Sequence, residues 1–465
     1  MKRHLLIVLA LLFTMSGFSQ GIEFEHGSWK EVLAKAQQTN KPIFVDASAP
    51  WCGACVMMKK NILSLEEVGK VYNANYICYE VDVEKGDGIQ IKKDYEVRPI
   101  PSFLFIRPDG SLFHRAIGYK DAEKILAESQ KALALMNDSM PITIWDKEYV
   151  EKKNDPKFLL GYINKRSSLG MPNAKLFDEY LKLLPESERI SSVTMKVYKT
   201  EEDNFTIHSF AFSYLLKNRA AFENVSAPDK IFIDYMLNQS IRNSLKIAIF
   251  KKDEQLLAEV IANYELLPKN INILSENGLY TPFYGKDEIY MEYYQGMKEK
   301  GKYLEHVISM GNNYLLKMTD DLIAQKDKAN AQMLEEAIKS GQFDTTRIAA
   351  ARLLDMRNFS KKSVRNAIGW RLNYNAGIIF DNVSDKQALQ DAIKWSKRSL
   401  ELSTNSLGWK NTYANLLYKS GMKTEAIAKQ QELLGLINKV KNPKGYQEKV
   451  KLIQKMRAGE KIWGN

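Results

Sequence analysis

One short stretch constrains the fold more than any other: an apolar run with a single acid, followed at once by two closely spaced cysteines. Residues 43–47 (Ile-Phe-Val-Asp-Ala) are mostly β-branched and aromatic, and they predict a buried strand. Pro50 predicts a turn, and residues 51–55 (Trp-Cys-Gly-Ala-Cys) predict the start of a helix. Two cysteines so spaced at a helix start lie within disulfide reach. The stretch therefore predicts a redox dithiol on a strand–turn–helix unit.

The helix start also predicts how the two thiols differ. The sulfur of Cys52 should lie near unpaired backbone N–H groups and the positive end of the helix dipole, which favour thiolate over thiol. Cys55 falls one turn further into the helix. A purely structural disulfide is the alternative interpretation of the same pair, and the spacing alone leaves it open.

Strand-like and helix-like patterns alternate around this stretch, from Gly21 to about Leu135. Ser64 followed by Glu67 predicts a capping box at the start of a helix. The other predicted elements are helices at 29–36 and 122–135 and strands at 76–83, 102–106 and 112–115, the last two joined by a turn at 107–110. This order predicts an α/β layer with a mixed sheet flanked by helices.

Several separate motifs in this region occur in a recognisable order. They are Val45-Asp46, the Trp-Cys-Gly-Ala-Cys segment, residues 97–102 (Val-Arg-Pro-Ile-Pro-Ser) before a strand, residues 108–110 (Pro-Asp-Gly), and Gly118-Tyr119 before the last helix. Together they resemble the thioredoxin fold, and within it the exported thioredoxin-like proteins of Bacteroidetes-type bacteria. The resemblance covers residues 21 to about 135.

The resemblance implies catalytic roles for three residues. Cys52 would be the attacking thiolate and Cys55 the resolving thiol, acting through a mixed disulfide with a protein substrate. Asp46 lies where the family places a buried acid. A carboxyl group in an apolar strand has a raised pKa and can accept the proton of Cys55.

The resemblance also implies a substrate-binding edge beside the dithiol. Pro101 would be a cis proline that faces the dithiol and leaves the backbone of Ile100 free for strand-like pairing with the substrate. Trp51 would shield one side of the dithiol and contact the substrate.

Three residues depart from the usual thioredoxin pattern. Ala54 stands where proline is common, Val56 where a basic residue is common, and Glu80 where many thioredoxins have a lysine near the buried acid. A carboxylate at Glu80 would raise the pKa of Asp46 further. These departures leave the redox potential, and with it the direction of electron flow, open.

The first nineteen residues have the pattern of a signal peptide. Lys2 and Arg3 precede an apolar run at 5–13, and the small residues Gly17 and Ser19 predict cleavage before Gln20. A membrane anchor is the alternative, but the run is short for spanning a bilayer. We expect an exported, periplasmic protein that is soluble after cleavage, in a compartment where disulfides persist.

Beyond residue 137 the sequence changes character. Residues 137–141 (Asn-Asp-Ser-Met-Pro) predict a linker, and most later segments have helical spacing. Ala392-Ile393 recurs as Ala426-Ile427 at an interval of 34 residues, which is the tetratricopeptide period. The predicted domains are a signal peptide at 1–19, a thioredoxin-like domain at 20–137, a helical domain at 138–369, and tetratricopeptide-like repeats with a cap at 370–465.

Composition argues against other site chemistries. The chain has three cysteines and five scattered histidines, which do not make a four-ligand zinc site, so we expect no metal and no cofactor. The net charge of +11 is interleaved with acids, which indicates a solvated basic surface and does not favour nucleic-acid binding. Cys78, in the middle of a predicted strand, is expected to be an inert core thiol.

The sequence therefore favours an exported thiol–disulfide oxidoreductase that acts on protein thiols and disulfides. We expect a membrane-linked or soluble redox partner, and protein binding by the helical region, because helical arrays usually present a concave surface. Tyr290, Tyr293, Tyr294, Trp370 and Tyr374 are candidates to line that surface, with core packing as the alternative. A helical scaffold that uses the thioredoxin fold as an adaptor, and a disulfide isomerase or chaperone, remain the competing functions.

Overall fold

The structure is a computed structural model that describes residues 21–201, 204–225, 230–267, 285–339, 345, 348–403 and 406–464. The predicted signal peptide at 1–19 lies outside these residues. The described chain forms two compact units, one built from residues up to 189 with 196–204, the other from 190–195 and the residues from 205 onward.

A mixed five-stranded sheet forms the centre of the first unit. The strand order is β1-β3-β2-β4-β5, in which β3 pairs parallel with β1 and β2, while β4 pairs antiparallel with β2 and β5. This is the topology of the thioredoxin fold, as predicted. The strands are β1 (Phe24–Glu25), β2 (Ile43–Ser48), β3 (Ile77–Asp82), β4 (Ser102–Ile106) and β5 (Leu112–Ile117).

The sheet is flanked by helices on both faces. The predicted helix at 122–135 is confirmed. The helices are α1 (Trp29–Thr39), α2 (Gly53–Met58), α3 (Glu66–Asn75), α4 (Asp87–Asp94) and α5 (Ala122–Leu135), and a π-helical turn (Lys59–Leu63) follows α2 directly.

The capping box predicted at Ser64 is wrong. Helix α3 has Leu65 as its N-cap, without a side-chain cap hydrogen bond. The Ser64 hydroxyl instead donates to the carbonyl of Lys60, at 2.6 Å. The preceding π-helical turn continues to Leu63, so Ser64 closes that turn and does not open the next helix.

The side chains of strand β2 divide between two apolar cores, one on each face of the sheet. Its residues 43, 45 and 47 enter one core together with residues of α1 and α4, while Phe44 enters the other core with residues of α3 and α5. Asp46 follows the same period of two and therefore points to the Phe44 side, the side on which α2 packs. Cys78 lies in this second core, where burial raises its thiol pKa to about 12, as expected for an inert thiol.

The first unit continues past the predicted linker into further helices. Ile142, Phe158 and Tyr162 lie in the same apolar core as the sheet residues. The guanidinium of Arg115 on β5 donates to the carbonyls of Tyr95 and Gly170, which ties the sheet to this extension. The helices are α6 (Ile142–Lys152), α7 (Pro156–Ser168), α8 (Ala174–Leu183) and α9 (Glu186–Arg189). Helix α10 (Ser192–Thr200) follows, and its residues from 196 onward belong to this unit. The domain boundary at 137/138 stays a prediction, but the compact unit extends beyond it.

The second unit is helical throughout its described residues. Its helices are α11 (Phe210–Lys217), α12 (Arg219–Val225), α13 (Lys230–Lys251), α14 (Glu254–Leu266), α15 (Lys286–Gly296), α16 (Lys300–Asn313), α17 (Asp320–Lys339), α18 (Ala350–Ser360), α19 (Ser363–Asn382), α20 (Lys386–Leu402), α21 (Leu407–Lys419), α22 (Lys423–Leu436) and α23 (Pro443–Arg457), with a 3-10 turn at Leu315–Lys317. The mostly helical second region is therefore confirmed. In the part of the chain that the structure describes, no helix is both long and apolar enough to cross a bilayer.

The predicted repeat positions fall on two helices of the second unit, α20 and α22, with α21 between them in the chain. Ala392 on α20 and Ala426 on α22 are both fully buried, α19 packs on α20, and α21 packs on α22. The tetratricopeptide assignment itself stays a prediction. The aromatic candidates divide between the two alternatives: Tyr293 is buried, whereas Trp370 and Tyr374 are exposed and stack on each other at 5.0 Å between ring centroids.

We predict that Ile142→Ala destabilises the first unit. Ile142 is 4% exposed in the core shared with the sheet, so its truncation should lower the free energy of unfolding by about 2–4 kcal/mol. Val150→Ala, on the same helix but 72% exposed, is the matched control and should change it by less than about 0.5 kcal/mol. Denaturant unfolding followed by circular dichroism measures both, and equal effects would show that α6 is not packed on the sheet.

Candidate functional site

The two cysteines of the predicted dithiol are joined in a disulfide at the start of α2. Cys52 is the N-cap residue of this helix, and its Sγ accepts a hydrogen bond from the backbone N–H of Cys55 at 3.2 Å. Both side chains are largely buried. A backbone donor aimed at the Cys52 sulfur stabilises negative charge there once the disulfide is reduced, because it solvates the thiolate at the positive helix end.

The loop before β4 faces the disulfide. The Ile100–Pro101 peptide bond is cis, as the resemblance implies, and the carbonyl oxygen of Ile100 lies 3.8 Å from Cys52 Sγ. The loop is held by two hydrogen bonds: Ser102 Oγ donates to the Pro99 carbonyl at 2.7 Å, and the Gly118 N–H donates to the Pro101 carbonyl at 2.9 Å. Backbone of the 99–101 segment thus lies next to the outer sulfur of the disulfide.

Asp46 lies behind the disulfide, deep in the sheet. It is 2% exposed, and its Oδ1 has no hydrogen-bond partner among the described residues. Burial is the main reason that the pKa of Asp46 is raised to about 7. The negative charge of Glu80 raises the pKa further, and the positive charge of Lys59 lowers it. The sequence-based expectation of a raised pKa, reinforced by Glu80, therefore agrees with the structure.

Lys59 is the residue that the sequence analysis missed. Glu80 is the direct partner of Asp46 across the β2–β3 ladder, and the Lys59 ammonium donates to both Glu80 carboxylate oxygens at 2.7 Å. The only sequence signal was position: Lys59 follows Cys55 by one helical turn, so it lies on the same helix face. Its pairing with Glu80 depends on the helix crossing the sheet at this point, which the sequence does not specify.

A cavity of about 390 Å³ joins the acid to the inner cysteine. Its lining is partly apolar, and the carboxyl of Asp46 and the side chains of Lys59 and Glu80 give it polar groups that could hold water between the acid and Cys55. The residues that line it are Asp46, Ser48, Ala49, Pro50, Cys55, Val56, Lys59, Glu80 and Asp82.

Exposed apolar side chains surround the outer side of the disulfide. Trp51 is 68% exposed and donates its indole N–H to Glu84 at 3.0 Å, which fixes the ring. Val56 and Met57 on α2 and Tyr119 in the loop after β5 are also about half exposed. The Lys120 N–H donates to Met58 Sδ, which holds the loop beside α2. Of these rim residues, only Trp51 has a contact role implied by the family resemblance.

Comparisons with known proteins agree with the fold of the first unit. A family model described as a thioredoxin-like domain matches residues 29–133. A thioredoxin-like protein CITRX of Arabidopsis thaliana is 35% identical over 97 residues, which are 21% of this chain and 45% of the relative. The chain thus spans less than half the length of this curated relative.

Two solved structures also match part of the chain, at lower identity. A DsbH oxidoreductase is 24% identical, with 26% of this chain and 91% of that one covered and a TM-score of 0.23. A thioredoxin from Thermus thermophilus is 22% identical, with 25% and 91% covered and a TM-score of 0.24.

The raised pKa of Asp46 predicts how stability depends on pH. Below about pH 4 the carboxyl is protonated in both the folded and the unfolded chain. Between about pH 4 and the folded-state pKa of about 7, only the unfolded chain releases the proton, so the folded state loses stability as the pH rises. We predict that Asp46→Asn removes this loss. Relative to wild type, the variant should gain about 3–4 kcal/mol in unfolding free energy between pH 4 and pH 8.

The measurement is denaturant unfolding of the oxidised protein at several pH values. Glu123→Gln, at an exposed position on α5, is the control and should leave the pH profile unchanged. Glu80→Gln removes a nearby negative charge, so it should make the stability loss smaller and end it at a lower pH. A constant difference between Asp46→Asn and wild type from pH 4 to pH 8 would contradict the prediction.

Proposed function

We propose that the thioredoxin-like domain of residues 29–133 makes this protein a thiol–disulfide oxidoreductase whose substrates are protein thiols and disulfides. One observation carries the proposal. The Cys52–Cys55 disulfide begins a helix, with the outer sulfur against the carbonyl of a cis Ile100–Pro101 bond and the inner cysteine on a cavity shared with a buried acid. A disulfide that served only as a staple would need neither an adjacent free backbone edge nor a proton acceptor.

The first step of the proposed reduction is attack by the outer thiolate. In the reduced protein, Cys52 Sγ attacks one sulfur of a substrate disulfide, and the second substrate sulfur leaves as a thiolate. The new bond is a mixed disulfide between Cys52 and the substrate. The Cys55 N–H, 3.2 Å from Cys52 Sγ, stabilises the attacking thiolate.

The second step releases the substrate. Cys55 loses its proton to the Asp46 carboxylate through the cavity and attacks Cys52 Sγ, while the remaining substrate cysteine leaves as a thiolate. The protein is then oxidised by two electrons and the substrate is reduced by two. An acid with a pKa near 7 suits this transfer, because it can hold or release a proton at neutral pH. The reverse sequence of the same steps oxidises a substrate dithiol.

Substrate contact would come from the edge and rim around the outer sulfur. The 99–101 backbone offers hydrogen-bonding groups to an extended substrate segment, and Trp51, Met57 and Tyr119 offer exposed apolar surface to its side chains. This arrangement supports binding through backbone hydrogen bonds and apolar contacts, with low specificity for the substrate's sequence.

We predict opposite effects for the two cysteines. Cys52→Ser should abolish disulfide reduction, because the attacking thiolate is lost, and activity should fall at least about a thousandfold. Cys55→Ser should accumulate mixed disulfides, because the second step cannot follow the first. Insulin reduction measures the first effect, and non-reducing gel electrophoresis with mass spectrometry measures the second. Cys78→Ser is the matched control and should retain activity, since that thiol is buried with a raised pKa. Full activity in Cys52→Ser would overturn the proposal.

We also propose that the protein acts outside the cytosol. The support is the amino-terminal pattern of basic residues, a short apolar run and small residues, together with a dithiol whose disulfide form persists in oxidising compartments. Expression with its own amino terminus should yield a mature chain that begins at Gln20 in the periplasmic fraction. Amino-terminal sequencing of that fraction is the measurement, and an uncleaved chain confined to the cytosol would contradict it.

A further inference from the structure

A group of amide side chains surrounds one lysine in the carboxyl-terminal helices of the second unit. Lys449 on α23 donates to Asn411 Oδ1 on α21 and, at 2.8 Å, to Gln430 Oε1 on α22. Gln430 Nε2 in turn donates to Asn411 Oδ1 at 3.0 Å and to Asn415 Oδ1 at 2.7 Å. Three helices thus contribute to one polar cluster, which we call the Lys449 seat: Asn411, Asn415, Gln430 and Lys449.

The ammonium group fixes the orientation of every amide in the seat. An ammonium can only donate, so Gln430 must turn its oxygen toward Lys449 and its nitrogen toward the two asparagines. Asn411 and Asn415 must then turn their oxygens inward. Gln430 is fully buried, and both of its polar atoms are used within the seat. It therefore positions the other three side chains.

This orientation leaves the seat with donors and few acceptors. The amide oxygens all accept from donors inside the cluster, whereas the side-chain N–H₂ groups of Asn411 and Asn415 take part in none of the hydrogen bonds just described. Lys449 has three N–H donors and uses two of them. The remaining hydrogen-bonding capacity is therefore almost entirely N–H, which is the complement of an anion.

The charge of Lys449 has no counterion within the described residues. None of the ion pairs in the described chain includes Lys449, and its partners are neutral amides. Its side chain is half-buried, and burial lowers the pKa of its ammonium. A half-buried cation without an acid costs free energy, and an anionic group in the seat would remove that cost.

The surroundings favour an anion on a polypeptide over an anionic membrane surface. The apolar residues Ile453 and Met456 of α23 are buried, so the helix has no apolar face available for insertion between lipids. Residues 437–464 carry eight Lys and Arg against two acids, which attracts negatively charged segments over a distance. Two amide groups and one ammonium together supply enough N–H donors for both oxygens of a carboxylate.

We propose that the Lys449 seat binds a carboxylate group, supplied by an acidic segment of a partner polypeptide. The proposal does not rest on the dithiol chemistry. Asn411, Asn415 and Lys449 would donate to the carboxylate, and Gln430 would act as the positioning residue behind them.

The test is fluorescence anisotropy with the full-length protein and a fluorescein-labelled Glu-rich peptide, compared with a twin in which every Glu is Gln. The Glu peptide should bind at least about tenfold more tightly than its twin. Lys449→Met and Gln430→Met should each weaken binding about tenfold, the first by loss of the charge and the second by release of the amides. Thermal unfolding shows whether each variant remains folded.

The matched control is Lys451→Met. It removes the same charge from the same helix, but Lys451 is exposed and two residues from Lys449, so it points to the opposite side of α23. Its affinity should stay within about twofold of wild type. Equal weakening by Lys449→Met and Lys451→Met would overturn the proposal that the Lys449 seat is the binding site, because the general positive charge of α23 would then explain the binding. An unchanged affinity in folded Gln430→Met would overturn it as well. If acetate at the same concentration as the peptide displaced it completely, the claim that the ligand is a polypeptide would be contradicted, because a free carboxylate would then bind equally well. Cys52→Ser should bind as wild type does.

Discussion

The central position of β2 in the sheet is the constraint on which the first unit depends. Because side chains alternate along a strand, residues 43, 45 and 47 must enter one core while Phe44 and Asp46 enter the other. A shift of one residue in register would carry the acid away from the dithiol and break both cores. The pairing of β2 with β3 and β4 therefore fixes the fold and the depth of the acid beneath Cys55 at once.

The same pairing sets the electrostatics of the site. It brings Glu80 opposite Asp46, and the π-helical turn that follows α2 brings Lys59 to Glu80. Burial, an anion and a cation then act on one carboxyl, and their sum holds its pKa near neutrality. The folded state is less stable at neutral pH as a result, because burial makes an ionised Asp46 unfavourable there. Proton-transfer sites commonly carry such a cost.

The helices beyond residue 137 have two physical roles. Those of the first unit cover an apolar face of the sheet, so the core of the thioredoxin-like domain includes residues that a sequence-based boundary assigns to another domain. In the second unit, a buried amide and a half-buried ammonium are held in one cluster, although apolar residues would pack there at lower cost. Polar groups retained at such a cost are candidates for recognition.

The family resemblance implied the cis Ile100–Pro101 bond. The sequence by itself determined the other local features: the dithiol, the strand that carries Asp46 and the helical character of the rest. Each depends on neighbouring residues, through period, turn chemistry or motif. Only the tertiary structure decided that Lys59 pairs with Glu80, that α6 and α7 pack on the sheet, that Ser64 closes a π-helical turn, and that Lys449 meets Asn411. These contacts join residues from separate elements. Their crossing angles and distances follow from packing of the whole chain, which no local pattern encodes.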